Sequence, residues 1–134
     1  MPESKIILGL KINTELKGIA ALLTQPWHLP VLEEIFRREN ANSRQMHDYC
    51  IKNKIAGKRE GSPISRASVI FFLNKLVDMG ILGYGDETGK GGHHRRYHAA
   101  MTRDAFIVNS IYTVLLKFNA EFPDQFDIAT TIPL

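Results

Sequence analysis

The sequence has little of what a secreted disulfide scaffold, a membrane protein or a recognisable enzyme needs. It holds one cysteine, Cys50, which cannot close an intrachain disulfide; a reducing compartment and a partly buried, inert thiol are expected. No stretch approaches the roughly 20 apolar residues of a bilayer span. The opening MPESKIILGLK has no long apolar run before a small-residue cleavage site, so the expected location is the cytoplasm, with no membrane partner. Internal repeats and low-complexity tracts are absent, which excludes solenoid architectures. There is no CxxC pair and no HExxH motif. Gly89-Lys90-Gly91-Gly92 lacks the strand–GxxxxGK[ST]–helix context of a phosphate loop, and no Ser/His/Asp set or carboxylate pair is marked by spacing. Catalysis is therefore the least favoured class, and no cofactor and no catalytic residue are expected.

What remains is an ordinary globular composition, 44% hydrophobic and 23% charged over 134 residues. That predicts a single domain, with a core over 24–101, a C-terminal helix over 102–122 and a tail over 123–134. Charge is segregated along the chain. From Arg37 to Arg96 there are twelve Lys and Arg against six acids, a surplus of six, so with +3 overall the flanks carry −3. A basic centre between acidic ends is the footprint of a surface that meets a polyanion, since Lys and Arg there release counterions from phosphates.

Periodicity supplies the elements. Leu16, Ile19, Ala20, Leu22 and Leu23 have helical spacing within Glu15 to Leu23, ended by Thr24-Gln25-Pro26, whereas Ile6-Ile7-Leu8 reads equally as a strand or a helical turn. After Pro30 a second helix sets Val31, Leu32, Ile35 and Phe36 against a polar face of Glu33, Glu34, Arg37 and Arg38. Asn40-Ala41-Asn42-Ser43 reads as a turn, with Ser43 capping a third helix to about Asn53 whose core face is Met46, Tyr49 and Cys50. Ser65 caps the next helix, about 65–79. Its stripe is Val69, Phe72, Leu73 and Leu76, and Gly80 suits the left-handed residue past its end. A hairpin follows, Ile81 to Asp86 against Arg96 to Met101, with Leu82, Tyr84, Tyr97 and Ala99 inward and Arg96 and His98 outward. Thr102 caps the last helix, with Asp104 in its first turn and a stripe of Ile107, Ile111, Val114, Leu115 and Phe118, until Pro123.

Three helices, a basic hairpin and a closing helix form the layout of a DNA reader. The predicted fold is mainly α with a small β-hairpin wing, a winged helix-turn-helix with N- and C-terminal accessory helices. A major groove admits one α-helix, whose N-terminal side chains meet base edges; these are Ser65, Arg66 and Ser68. Lys75 is expected on phosphate, Ser43 and Arg44 at a phosphate-holding helix N-terminus, and Lys90, His93, His94, Arg95 and Arg96 in the wing, 83–98, on the backbone or in the minor groove. The glycines at the tip let the chain follow a backbone closely.

Ile64 to Ala99 resembles the recognition-helix-plus-wing signature of bacterial and archaeal winged-helix regulators of the MarR, PadR and GbsR kinds. The likeness rests on Ser65-Arg66-x-Ser68-Val69, on Leu73 and Leu76, on Met79-Gly80-Ile81-Leu82, on the glycine-rich basic tip and on Arg95-Arg96-Tyr97. It implies a dimeric repressor or activator of duplex DNA, often tuned by a small-molecule effector, with Ser65, Arg66, Ser68 and the tip on DNA. Homodimer formation through the C-terminal stripe is expected, because one recognition helix reads too few base pairs. Two departures stand out. The connection before the helix is long for a helix-turn-helix, and Ile70, Phe71 and Phe72 are consecutive, so at least one apolar side chain must face outward, towards thymine methyls or the N-terminal helix. The competing readings are a winged-helix protein-docking module without DNA binding, and a metal-responsive regulator using His47 with Cys50 or the cluster His93, His94 and His98.

Overall fold

The computed structural model describes residues 5–7, 10–12, 25–55, 62–89 and 92–123. In chain order the elements are β1 (Lys5–Ile7), β2 (Leu10–Ile12), α1 (His28–Arg38), β3 (Asn40–Asn42), α2 (Ser43–Lys52), α3 (Arg66–Asp78), β4 (Leu82–Gly89), β5 (Gly92–Ala99) and α4 (Arg103–Glu121). They fall into two compact units, 20–101 and 1–19 with 102–134. No described helix is long and apolar enough to cross a membrane. The expected helix over Glu15 to Leu23, the basic connection over 56–61 and the tail from Asp124 lie outside the described residues.

In the unit 20–101, three helices pack over one face of a small antiparallel sheet. Val31, Leu32 and Ile35 of α1, Met46 and Cys50 of α2, and Val69, Phe72, Leu73 and Leu76 of α3 are at most 1% exposed. These are the apolar positions that helical spacing selects; of the predicted stripes, Phe36 and Tyr49 depart from the core and are only half-buried, Tyr49 lying beneath the Arg38 guanidinium. The Trp27 ring meets the edge of Phe72 with centroids 5.0 Å apart, and His28 stacks flat on Phe72 at 4.3 Å. Ser65 is the α3 N-cap, its Oγ accepting from the Ser68 N–H at 3.1 Å. Gly80 follows the helix at φ 79°, a left-handed conformation that glycine adopts without a Cβ penalty.

The sheet has the order β3-β5-β4, with Ala41 opposite Tyr97 and Tyr97 opposite Tyr84. Here the structure corrects the reading of Asn40 to Ser43. The segment is a strand and not a turn: Glu39, at φ 73°, swings the chain from α1 directly onto the edge of β5. The α2 cap is Asn42 and not Ser43. Asn42 Oδ1 accepts from the Gln45 N–H at 2.9 Å while Gln45 Oε1 accepts from the Asn42 N–H at 3.0 Å, a reciprocal capping box. Glu34 is also displaced from its expected place on the solvent face. It is 6% exposed and held by Arg37 Nε and Arg38 Nε, each at 2.6 Å, because a carboxylate loses its water there only when two guanidiniums replace it.

Strand alternation predicts the hairpin's faces, but not how far the core extends beneath it. Leu82 and Tyr97 are 2% exposed, as expected, whereas Tyr84 is 42% exposed. Tyr84 stands on the edge strand β4 while its partner Tyr97 stands on the central strand β5, and the Arg95 guanidinium covers the Tyr84 ring, 3.8 Å from its centroid. His98 is exposed as expected; Arg96 is half-buried.

In the other unit, β1 and β2 pair antiparallel with Ile6 opposite Lys11, which resolves the open reading in favour of a strand at Ile6 and Ile7, Leu8 lying outside the described residues, and α4 lies beside β2. Thr102 caps α4 through the Ala105 N–H at 3.0 Å, with Asp104 in the first turn. The predicted stripe proves not to be the buried side. Phe106, Asn109 and Tyr112 are buried, whereas Ile111 and Phe118 are half-exposed at 50% and 51%. At 100° per residue the two sets lie on nearly opposite sides of the helix, so α4 is apolar on two sides and covered on one.

Candidate nucleic-acid interface

The start of α2, one side of α3 and the β5 strand converge on a concavity of about 380 Å³ lined by Ser43, Arg44, Arg66, Ile70, Asn74, His93, His94, Arg95 and Tyr97. A smaller one of about 150 Å³ adjoins it and adds Asn42 and Gly89. Among the described residues, no carboxylate lines either. The structure thus brings together six of the residues selected from sequence: Ser43, Arg44, Arg66, His93, His94 and Arg95. Arg44 and Arg66 are exposed and make no hydrogen bond or ion pair among the described residues, so their guanidinium donors are free for a ligand.

Arg95 is oriented from two sides. Its guanidinium lies on Tyr84, and its Nη1 donates to Asn74 Oδ1 at 3.0 Å. The same Asn74 oxygen accepts from the Tyr97 hydroxyl at 2.6 Å. Burial raises the Tyr97 pKa against the opposing pull of the Arg95 charge, so the phenol stays a donor. The wing strand is therefore tied to the middle of α3 by side chains that also line the concavity.

A second cluster, whose members Asn42 and His94 also line the smaller concavity, spans all three strands. Glu87 accepts from Asn42 Nδ2 at 2.9 Å, meets His94 Nε2 at 2.8 Å and Arg96 Nη1 at 3.4 Å, and Arg96 Nε donates to Asn40 Oδ1 at 2.7 Å. The Asn42 amide, with the Arg96 and His94 charges, holds the Glu87 carboxyl below its usual range. Arg96 thus joins strand to strand, on the other side from Arg95.

The remaining sequence-selected residues are distributed differently. Ser65 and Ser68 are exposed at the start of α3 with their hydroxyls 2.8 Å apart, Ser65 being occupied as the cap. Lys75 is half-buried on α3 and does not line the concavity. Lys90 lies outside the described residues. Sequence reasoning missed Asn42, Ile70, Asn74, Gly89 and Tyr97. A signal for two of them was present, since Arg66, Ile70 and Asn74 fall at i, i+4 and i+8, one row of a helix. For the rest, only the strand register brings them to the site.

A separate concavity of about 440 Å³ between α1 and α2 carries Arg37, Arg38 and Lys52, but also Glu34 and Asp48, and its guanidiniums are spent on Glu34. It is the weaker surface for a polyanion. The His47 and Cys50 pair is packed into the fold: His47 Nε2 lies 3.0 Å from the Ile64 carbonyl, and burial pushes the Cys50 thiol up to about 11.

The architecture, helices on a three-stranded antiparallel sheet whose β4–β5 hairpin forms the wing, is a winged helix. No protein-family model and no curated protein matches the sequence. Among solved structures, a "possible transcriptional regulator" from Methanosarcina mazei Go1 is similar at a TM-score of 0.56 and 12% identity, covering 95% of this chain and all of that one. A PadR family transcriptional regulator from Eggerthella lenta DSM 2243 aligns at a TM-score of 0.42 and 15% identity, over 80% of this chain and 86% of that one. The first likeness establishes the shared fold.

Proposed function

We propose that the protein is a sequence-specific, duplex-DNA-binding transcription regulator that seats α3 in the major groove and the β4–β5 wing on the backbone or minor groove. The observation that carries this reading is the convergence of Arg44, Arg66 and Arg95 with His93 and His94 on one concave surface that no described carboxylate lines. Such a surface suits phosphates, because each guanidinium offers paired donors and releases a condensed counterion. The Methanosarcina mazei protein that shares the fold is itself a "possible transcriptional regulator", which is consistent with this reading.

Pairing of two copies through α4 belongs to the same proposal. Its support is the apolar side that includes Ile111, Phe118 and Phe122, each half-exposed or more, on a helix already buried along Phe106 and Tyr112. Two copies would present two recognition helices to two half-sites.

The test is a titration of fluorescent mixed-sequence duplex at two salt concentrations, comparing the wild type with Arg44→Ala/Arg66→Ala and with Arg37→Ala/Lys52→Ala. Salt-dependent binding is expected, with the log–log slope reduced by about 0.9 for each phosphate that the first variant no longer neutralises, and little changed in the second. A wild type that binds no duplex at either salt concentration overturns the reading in favour of a protein-docking winged helix. Sedimentation of Ile111→Ser/Phe118→Ser, expected as a monomer against a dimeric wild type, tests the pairing.

A further inference from the structure

The most exposed large apolar side chain among the described residues is Phe71, at 72%, on the helix that carries Arg66. The α3 core stripe is Val69, Phe72, Leu73 and Leu76. At 100° per residue, Phe71 points roughly 150° away from the middle of that stripe, so it is not a frayed edge of the core. Ala67 lies one turn before it and is exposed, and Lys75 one turn after it is half-buried. The row Ala67, Phe71, Lys75 runs beside the row Arg66, Ile70, Asn74 that faces the concavity. A single exposed apolar residue needs no explanation on an arbitrary surface. This one stands on the outward side of the helix, with Lys75 one turn along, beside the row that lines the cation-bearing concavity.

That setting discriminates between partners. The core of a protein interface is depleted of lysine around its apolar anchors, whereas here Lys75 lies one turn along the same face as the ring. In the major groove the one apolar group on a base edge is the C5-methyl of thymine, which side chains such as Ala and Phe contact. We propose that Phe71, with Ala67 beside it, is a specificity-determining residue that reads a thymine methyl, so that the preferred half-site carries thymine at a fixed position under the first two turns of α3. The inference rests on the DNA-binding reading above and extends it from affinity to base choice.

The experiment starts from a duplex selected by the full-length wild-type protein from a random pool, in which each thymine is then replaced singly by deoxyuridine, removing one methyl and leaving base pairing intact. Wild-type binding is expected to fall about fourfold at one or two positions, since burying one methyl is worth about 0.8 kcal/mol. Phe71→Ala should bind the parent duplex more weakly, be indifferent to deoxyuridine at those positions and keep the wild-type salt slope; Phe71→Leu should retain part of the discrimination. Because the ring is exposed, both variants should melt with the wild type, which a thermal scan checks. A selected site without thymine, deoxyuridine effects that persist unchanged in Phe71→Ala, or a Phe71→Ala variant altered in self-association but not in base preference each overturn the inference while leaving DNA binding standing. Failure to select any duplex, with no salt-dependent binding, is the failure of the DNA-binding reading itself.

Discussion

Asn74 Oδ1 accepts a 2.6 Å hydrogen bond from the hydroxyl of Tyr97, joining the middle of α3 to the return strand of the wing. Tyr97 is 2% exposed, so without Asn74 its hydroxyl would be buried with no acceptor, and Arg95 would lose the oxygen that its Nη1 reaches at 3.0 Å. Asn74→Ala is expected to cost about 1–3 kcal/mol in a urea melt, the desolvation penalty of an orphaned donor, and Tyr97→Phe about 1 kcal/mol. The double variant should cost less than the sum, because removing both partners leaves no orphan. Strict additivity would show that the contact does not couple the wing to α3.

The unit containing α1 is expected to lose stability in acid through Glu34. The Arg37 hydrogen bond, helped by Arg38 and opposed by burial, lowers its pKa to about 2. A carboxylate lowered in the folded state contributes stability fully above its unfolded value, about 4.3, and loses it as pH falls towards the folded value. The melting temperature is therefore expected to decline between about pH 4.5 and pH 2, with a shallower decline in Glu34→Gln. At pH 7 that variant should be less stable by about 1–3 kcal/mol, a range set by a buried carboxylate whose Arg37 partner is largely in water. Parallel pH profiles for the two proteins would refute the assignment.

Removal of the Glu87 charge should strengthen contact with a polyanion while loosening the sheet. The carboxylate faces Asn42, His94 and Arg96, and it lies one side chain from the concavity that His94 lines. Glu87→Gln keeps an acceptor for Asn42 but releases Arg96 and His94 from the carboxylate. Tighter duplex binding at low salt with a steeper salt slope is expected, along with faster amide exchange in β3. A duplex affinity unchanged at low salt would mean that His94 and Arg96 do not sense the bound phosphates.

The Cys50 thiol is expected to be inert in the native protein. It is fully buried in α2, and burial pushes its pKa up to about 11, so the reactive thiolate is scarce at neutral pH. A disulfide reagent at pH 8 should label it only as fast as the protein opens, and immediately in denaturant. Rapid native labelling would reopen the reading of His47 and Cys50 as a sensor pair.

The sequence by itself determined the elements. Leucine and valine at helical spacing, Ser65 and Thr102 as caps, Gly80 as a stop and the glycine-flanked basic hairpin are local signals, and each acts within a few residues of the structure it specifies. The α3 stripe, the caps of α3 and α4 and the outward ring in Ile70-Phe71-Phe72 were legible for that reason. The strand at Asn40–Asn42 was not, since its three residues form a strand only because β5 offers an edge 55 residues or so further along. Tertiary structure alone decided that Arg95 and Arg96, neighbours in the chain, part company. Strand alternation puts their side chains on opposite faces, but the faces acquire different roles only when Asn74 of α3 meets one and Asn40 with Glu87 meets the other. Tertiary structure likewise drew Glu34 inside between two arginines and left the predicted stripe of α4 half in solvent. Local pattern fixes which residues are apolar or charged on each face; which face is covered depends on what packs against it, and that is a property of contacts distant in sequence.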